Sequence, residues 1–154
     1  MTSNPQKNER VAGVDFGTKR IGIAIADTSL RIASPHSTCH RKSDALDGKF
    51  FTDLVASEGI QRFVVGLPLQ LDGHESQKSK EALEFGQWLH QLSGVPVDYF
   101  DERFTTVEAN QVLAATNLTK KQRALRRDQL AAQIMLSAYL ESDGPAEPWL
   151  ESID

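Results

Sequence analysis

The sequence predicts an α/β domain in which a mixed β-sheet carries helices on both faces. Short apolar runs with strand character alternate with amphipathic helical segments along most of the chain, which is typical of crossovers between parallel strands. The first three runs follow one another through short links, which is typical of an antiparallel meander. The predicted order is therefore strand-strand-strand-helix-strand-helix-strand-helix-helix.

The first two predicted strands lie within residues 10–27 and meet at a tight turn built on Gly17. The second strand alternates isoleucines with Gly or Ala, which is the period of two expected of a strand. Asp15 interrupts the apolar run of the first strand near its end. A buried carboxylate is costly unless it is paired, hydrogen-bonded or bound to a cation. Asp15 is therefore either a local turn cap or, as we favour, a metal ligand on a rigid strand.

A third strand is predicted over residues 31–38, and Pro35 within it indicates a sheet edge or a bulge. His36, Cys39 and His40 could suggest a zinc site near its end. Their spacing matches no common closed site and no fourth ligand is apparent. Ordinary strand and loop positions are the favoured interpretation of these three residues.

The middle of the chain predicts two helices and two strands in alternation. The predicted ranges are a helix over 43–58, a strand over 62–67, a helix over 75–93 and a strand over 96–100. Gly59 and Gly94 end the two helices, as glycine commonly does. Trp88 lies close to the apolar stripe of the second helix, so we expect it in the core rather than as a platform for stacked bases.

Two further helices are predicted near the end of the chain. Thr105 or Thr106 can cap the first of them, which runs to about residue 115. A basic link is expected next, followed by a helix that begins near Asp128. Its expected apolar face carries Leu130, Ile134 and Ala138, with Ala131, Met135 and Tyr139 beside it. The Gly and Pro residues beyond it predict an extended tail.

Length and composition favour a single cytoplasmic domain. The 154 residues and the apolar fraction of 40% suit one hydrophobic core. No apolar run approaches the roughly 18 residues that span a bilayer, and no membrane partner is expected. We expect a disordered lead-in over 1–10, a domain over 11–142 and an acidic tail over 143–154. The single Cys39 excludes an internal disulfide, which suits a reducing compartment.

The charge of the chain is unevenly distributed. The formal net charge of −4 argues only weakly against a nucleic-acid partner, because the last fourteen residues contain five acids and neither Lys nor Arg. The segment 120–127, KKQRALRR, instead carries five positive charges in eight positions. From charge alone this run is equally well a solvated helix face or a surface that contacts phosphates.

Carboxylates stand where the predicted strands end. Asp15 ends the first strand and Glu102 follows the fifth. The carboxyl ends of parallel strands form the ligand-binding edge of an open sheet, so these two acids are expected side by side. Asp128 is a further candidate, although on spacing alone it is better interpreted as an acid stabilised by the dipole at a helix N-terminus.

Converging carboxylates need a hard cation at neutral pH, and oxygen ligands point to one or two Mg²⁺ or Mn²⁺ ions. Two such ions about 4 Å apart can clamp the attacking and leaving oxygens of a phosphodiester. Basic residues around the acids would then hold the flanking phosphates of a nucleic acid. The candidates for that role are Lys19, Arg20, Arg103, Lys120, Lys121, Arg126 and Arg127.

Five motifs occur in an order that resembles one protein family. They are VDFGTKRIGIAIAD, ASPHST, VVGLPLQLDG, the DERFTT run and DQLAAQIMLSAYL. Together they resemble the YqgF/RuvX proteins, small bacterial nucleases of the ribonuclease H-like fold, over about residues 11–141. The resemblance implies a five-stranded mixed sheet of order 3-2-1-4-5 with strand 2 antiparallel. It also implies that Asp15, Glu102 and Asp128 are the catalytic acids and metal ligands.

The resemblance implies one of two nucleic-acid substrates. One is precursor 16S ribosomal RNA, trimmed at its 5′ end during ribosome biogenesis, and the other is the four-way Holliday junction of DNA. We favour the RNA, because a resolvase cuts two strands symmetrically and normally needs a dimer, whereas a monomer or weak dimer is expected here. An actin-like ATPase and a non-catalytic binding module are the other interpretations; the first needs a second domain for which the chain is too short.

Overall fold

A computed structural model describes residues 8–68, 76–102 and 119–142. The elements within these ranges are β1 (Arg10–Asp15), β2 (Arg20–Asp27), β3 (Ile32–His40), α1 (Asp44–Glu58), β4 (Arg62–Leu67), α2 (Gln77–Ser93), β5 (Val97–Asp101) and α3 (Lys120–Glu141). The predicted helix ending near residue 115 and the tail over 143–154 lie outside the described residues. None of the described helices is long and apolar enough to cross a membrane.

The described strands form one mixed sheet in the order β3-β2-β1-β4-β5. β1 pairs antiparallel with β2 and parallel with β4, while β2 pairs antiparallel with β3 and β4 parallel with β5. The predicted fold class and strand order are therefore confirmed. β3 is an edge strand whose register shifts where Ala24 faces Pro35, so the proline marks both an edge and an irregularity.

One face of the sheet is covered by α1 and α2 through a core of large side chains. Phe51 is fully buried at its centre, with ring centroids 6.2 Å from Phe63, 5.6 Å from Phe85 and 6.4 Å from Trp88. The prediction that Trp88 belongs to the core is confirmed. Interlocked aromatic rings of this kind contribute much of a small domain's stability.

The opposite face is covered by α3, and its sheet residues are small. Gly13, Gly22, Ala24 and Ala26 present little or no side chain toward the helix. A Cβ placed on Gly13 would come within 2.9 Å of the Cβ of Leu136. The backbone of α3 therefore lies closer to the sheet than longer side chains would allow.

The start of α3 corrects the prediction for the end of the chain. The helix begins at Lys120 rather than near Asp128, so the basic segment 120–127 forms its first two turns and is no link. Thr119 and Gln122 form a capping box: the Thr119 hydroxyl accepts from the Gln122 amide at 3.1 Å, and the Gln122 side chain accepts from the Thr119 amide at 2.9 Å. This cap and good helix formers explain the earlier start.

The buried stripe of α3 differs in part from the prediction. Leu130 and Ile134 are partly exposed, whereas Met135 and Tyr139, which were expected beside them, are buried. The residues that pack against the sheet are Ala132, Met135, Leu136, Tyr139 and Leu140. Compared with the prediction, α3 is turned about its own axis. The reason is that Gly13 and Gly22 of the sheet leave room for the helix along the line of Asp128, Ala132 and Leu136. Asp128 lies one helical turn before Ala132, so it continues this buried stripe toward the helix N-terminus.

A network of buried charges ties together the amino ends of the strands. Arg62 donates to Glu9 and Asp98 at 3.1 Å each, and the Tyr139 hydroxyl donates to Asp98 at 2.8 Å. Buried charges persist only when paired in this way. Residues 1–10 were predicted as a disordered lead-in. Two of them are part of the packed domain, because Glu9 is buried and Arg10 is the first residue of β1.

Candidate active site

Asp15 ends β1 with a glycine beside it on each neighbouring strand. It pairs directly with Gly22 of β2. On the other side Val14 pairs with Val65, so the next position of β4, Gly66, lies beside Asp15. Directly opposed residues of neighbouring strands project to the same face. The carboxylate of Asp15 is therefore flanked by two positions that have no side chain.

Gly66 makes room for Glu102. A Cβ on Gly66 would overlap the Oε2 atom of Glu102 and lie 2.9 Å from its Cδ. Glu102 directly follows β5, and its side chain folds back across β4 to form a hydrogen bond with Asp15. The two acids predicted to stand side by side are thus in contact.

Gly22 makes room for Asp128. A Cβ on Gly22 would overlap the carbonyl group of Asp128 and lie 2.8 Å from its Cβ. Helix α3 therefore passes directly over β2 at the position that pairs with Asp15. Asp128 stands eight residues into the helix, about 12 Å from its start, so stabilisation by the dipole at a helix N-terminus does not explain this acid.

The Asp128 carboxylate is held by Arg20. The Nε atom of Arg20 donates to Oδ2 of Asp128 at 2.8 Å. Sequence reasoning predicted Arg20 as a phosphate contact and gave it no partner within the protein. The structure instead places its guanidinium against one of the three predicted catalytic acids.

The acids perturb one another's ionisation. Burial raises the pKa of Asp15 well above its usual value, and repulsion from Glu102 and Asp128 and the hydrogen bond with Glu102 raise it further. The pKa of Glu102 is also raised by burial and by Asp101, while its bond with Asp15 opposes the shift. These directions fit a protonated Asp15 that donates to an ionised Glu102. A divalent cation bound here would relieve the repulsion that raises the pKa of Asp15.

The three acids line a cleft with a volume of about 430 Å³. It is lined by Asp15, Phe16, Gly17, Thr18, Lys19, Arg20, Pro68, Lys78, Glu81, Glu102 and Asp128. Sequence reasoning missed Lys78 and Glu81, which belong to the first turns of α2. The signal was available, because a helix that follows a parallel strand begins near that strand's carboxyl end, where the site was expected.

The predicted phosphate contacts separate into three groups. Lys19 and Arg20 line the cleft. Lys120, Arg126 and Arg127 are exposed on the first turns of α3 and are not part of the cleft lining. Arg103 and the side chain of Lys121 lie outside the described part of the chain.

The acids can be tested for their fit to a metal ion. Among the described residues, no three Asp, Glu, His or Cys side chains converge closely enough to hold one ion. Mg²⁺ needs no such cage, because it is usually bound by one or two carboxylates together with water and substrate phosphates. The contacting Asp15 and Glu102 supply two such carboxylates. Asp128 is near enough to raise the pKa of Asp15 but is turned toward Arg20. The donor chemistry therefore fits a divalent ion.

Comparison with known proteins gives the family. The RuvX family, described as "Holliday junction resolvase", matches residues 9–142. This chain belongs to the RuvX family. The family contains nucleases, so the chain is a hydrolase that cleaves phosphodiester bonds. The resemblance seen in the five motifs is thereby confirmed.

Two similar proteins of the RuvX family carry the name "Putative pre-16S rRNA nuclease". That of Rhodopirellula baltica is 45% identical over 86% of this chain and 77% of its own length. That of Koribacter versatilis is 39% identical over 88% of each chain.

Solved structures support the ribonuclease H-like fold. The fowlpox virus Holliday junction resolvase has a TM-score of 0.53 at 14% identity, covering 86% of this chain and 99% of its own. Thermus thermophilus RuvC in complex with a Holliday junction has a TM-score of 0.50 at 16% identity, covering 87% and 96%. At such low identity these likenesses establish the fold alone.

Proposed function

We propose that this RuvX nuclease trims the 5′ end of precursor 16S rRNA, using one or two Mg²⁺ or Mn²⁺ ions held by Asp15, Glu102 and Asp128. The observation that carries the proposal is that three acids from distant segments line one cleft and that two of them are in contact with raised pKa values. The name shared by the similar proteins supports the RNA. The proposed location is the cytoplasm, where the thiol of Cys39 stays reduced.

The residues of the site divide the chemistry among them. A bound divalent ion supplies Lewis-acid activation of the phosphodiester and lowers the pKa of the attacking water. Asp15, fixed at the end of a central strand, and Glu102, folded over Gly66, form the rigid part of the ligand set. Preorganised charges of this kind need little rearrangement when the substrate reacts.

The basic residues are proposed to hold the nucleic-acid backbone. Lys19, in the turn between β1 and β2, and Lys78, on the first turn of α2, both line the cleft, where they can bind the phosphates that flank the scissile bond. Lys120, Arg126 and Arg127 extend a cationic surface along α3. Arg103 and Lys121 are proposed to bind further phosphates of the backbone. Such contacts position the backbone without reading its sequence.

A four-way DNA junction is the second candidate substrate. The description of the family favours it. Resolution of a junction requires two symmetric cuts and therefore two sites held in a dimer. A protein that acts as a monomer or weak dimer suits single cuts in a structured RNA better.

The proposal is tested by incubating the protein with precursor 16S rRNA and with a four-way junction, with and without Mn²⁺. We expect Mn²⁺-dependent cleavage of the RNA, and a loss of about 100-fold or more in Asp15→Asn. Asp53→Asn is the matched control, because Asp53 is an exposed acid on α1 paired with Lys49. Junction cleavage without RNA cleavage would reverse the choice of substrate. Equal rates for Asp15→Asn and wild type would refute the site.

The role of the basic surface is tested through salt dependence. Neutralising Arg126 and Arg127 together should weaken RNA binding regardless of sequence. Each lost phosphate contact should flatten the plot of log affinity against log salt by roughly 0.7 to 0.9. An unchanged slope would show that these turns of α3 are only a solvated face.

A further inference from the structure

The contact between Arg20 and Asp128 places a cation of the protein itself at the acidic site. Arg20 opens β2 and its Nε atom donates to Asp128 Oδ2 at 2.8 Å. The side chains are 47% and 21% exposed, so the pair stands at the mouth of the cleft that both residues line. Asp15 and Glu102 form a contacting pair deeper in that cleft, whereas Asp128 is directed toward the guanidinium.

We propose that Arg20 is a positioning residue that makes divalent-ion binding and nucleic-acid binding cooperative. The inference rests on the proposed function of this site. In the free protein Arg20 is paired with Asp128, so an ion is bound by Asp15 and Glu102 alone. When a phosphate of the nucleic acid enters the cleft, the guanidinium transfers to it, and the Asp128 carboxylate becomes a ligand for the ion.

The move of Arg20 from Asp128 to a phosphate is physically reasonable because the exposed Arg20–Asp128 pair is weak and the arginine–phosphate contact that replaces it is strong. An ion pair this exposed contributes little to stability, since water solvates both partners well. A guanidinium binds phosphate as readily as carboxylate, through the same planar donors. Arg20 therefore loses little on leaving Asp128 for a phosphate. The released carboxylate, next to two other acids, gains most from a divalent cation.

Cooperativity then follows from linkage. The ion and the nucleic acid both favour the state in which Arg20 has left Asp128. Two ligands that favour the same state must tighten each other's binding by the same factor, typically roughly 5-fold to 150-fold. The protein would then bind its ion firmly only when a substrate phosphate is present.

The test is calorimetric titration of Mn²⁺ into the protein, alone and with a hairpin RNA that carries the 5′ phosphate of the cleaved product and so cannot be cleaved again. The heat of Mn²⁺ binding to the RNA alone is subtracted. For wild type we expect Mn²⁺ to bind about fivefold more tightly when the RNA is present, because an exposed ion pair is worth at most about 1 kcal/mol. Arg20→Gln should bind Mn²⁺ more tightly than wild type in the free protein and should gain nothing further from RNA. Lys19→Gln is the matched control, because it removes one positive charge from the same turn and the same cleft. Because Lys19 is itself proposed to bind a phosphate, this variant should weaken RNA binding, yet at saturating RNA it should keep the RNA-dependent gain in Mn²⁺ affinity. Arg20→Lys, which keeps the charge, should restore part of it.

Asp128→Asn keeps the proposal testable even if Arg20→Gln folds poorly. Because Asp128 is already paired with Arg20 in the free protein, this variant should change Mn²⁺ affinity there by less than about threefold, yet should abolish the gain from RNA. Equal behaviour of Arg20→Gln and Lys19→Gln would overturn the proposal, and so would an RNA-dependent gain in Asp128→Asn. No arm of this experiment uses cleavage, so a wrong choice of substrate would be recognised separately in the rRNA assay.

Discussion

The two faces of the sheet are built on opposite principles. The face under α1 and α2 is filled by large side chains centred on Phe51, whereas the face under α3 consists largely of Gly and Ala on β1 and β2. Large side chains hold helices away from the sheet and contribute buried area. Small ones contribute less area but bring a helix backbone close. The first face therefore mainly stabilises the domain, and the second mainly places Asp128 beside Asp15.

The largest effect on stability should come from the first face. Phe51→Ala removes a fully buried ring that contacts four other aromatic side chains, and we expect it to lower the free energy of unfolding by about 3–5 kcal/mol. Urea unfolding measures this. The Mn²⁺ affinity of the molecules that remain folded should stay close to wild type. A loss below about 1 kcal/mol would contradict the division between the faces.

On the second face, Gly22→Ala is expected to reduce the rate of cleavage. In Gly22→Ala the new Cβ would overlap the backbone of Asp128, which cannot move aside as a side-chain tip can, so α3 must shift. A shift of about 1 Å in a reacting group can cost roughly 100-fold in rate, so we expect a loss of that size in single-turnover cleavage.

Gly48→Ala is the matched control on the other face. Its Cβ would meet the mobile end of Leu92 at 3.3 Å, and alanine is favoured over glycine inside a helix by about 0.5–1 kcal/mol. This variant should keep its activity and lose no stability. Equal activity losses at Gly22 and Gly48 would show that the close approach of α3 has no special role in the site.

Without metal, Asp15→Asn is expected to raise the free energy of unfolding. The effect is smaller than that of Phe51→Ala and opposite in sign. Because folding raises the pKa of Asp15, its contribution to stability is greatest below its unfolded pKa and is lost as pH rises through the folded pKa. At neutral pH the variant should therefore be more stable than wild type by on the order of 1 kcal/mol. Thermal unfolding in EDTA across pH should show this advantage shrinking on acidification. A variant less stable than wild type at neutral pH would contradict the account of the buried acids.

Much of this architecture could be predicted because it depends on local patterns. Apolar residues that recur with a period of two predicted the strands, and a period of 3.6 predicted the first two helices. The position of Asp15 at the end of an apolar strand predicted that it is a metal ligand. The adjacency of Asp15 and Glu102 then followed from parallel strands sharing an edge.

What the sequence did not predict depends on distant contacts or on a cap that was overlooked. The capping box of Thr119 and Gln122 is visible in the sequence and would have placed the start of α3 correctly. The rotation of α3 could not be predicted from its own residues, because it is decided by glycines on β1 and β2 that only the folded sheet brings beneath it. The Arg20–Asp128 contact joins positions 108 residues apart, and no local pattern indicates it.

The most direct test of the central claim is single-turnover cleavage of precursor 16S rRNA in Mn²⁺ by Asp15→Asn, Glu102→Gln and Asp128→Asn, measured beside Glu81→Gln. Glu81 lines the same cleft but is not assigned to the ion, so it controls for the loss of a nearby charge. The account predicts losses of about 100-fold or more in each of the three variants and a rate near wild type for Glu81→Gln. A near-wild-type rate in any of the three would contradict it.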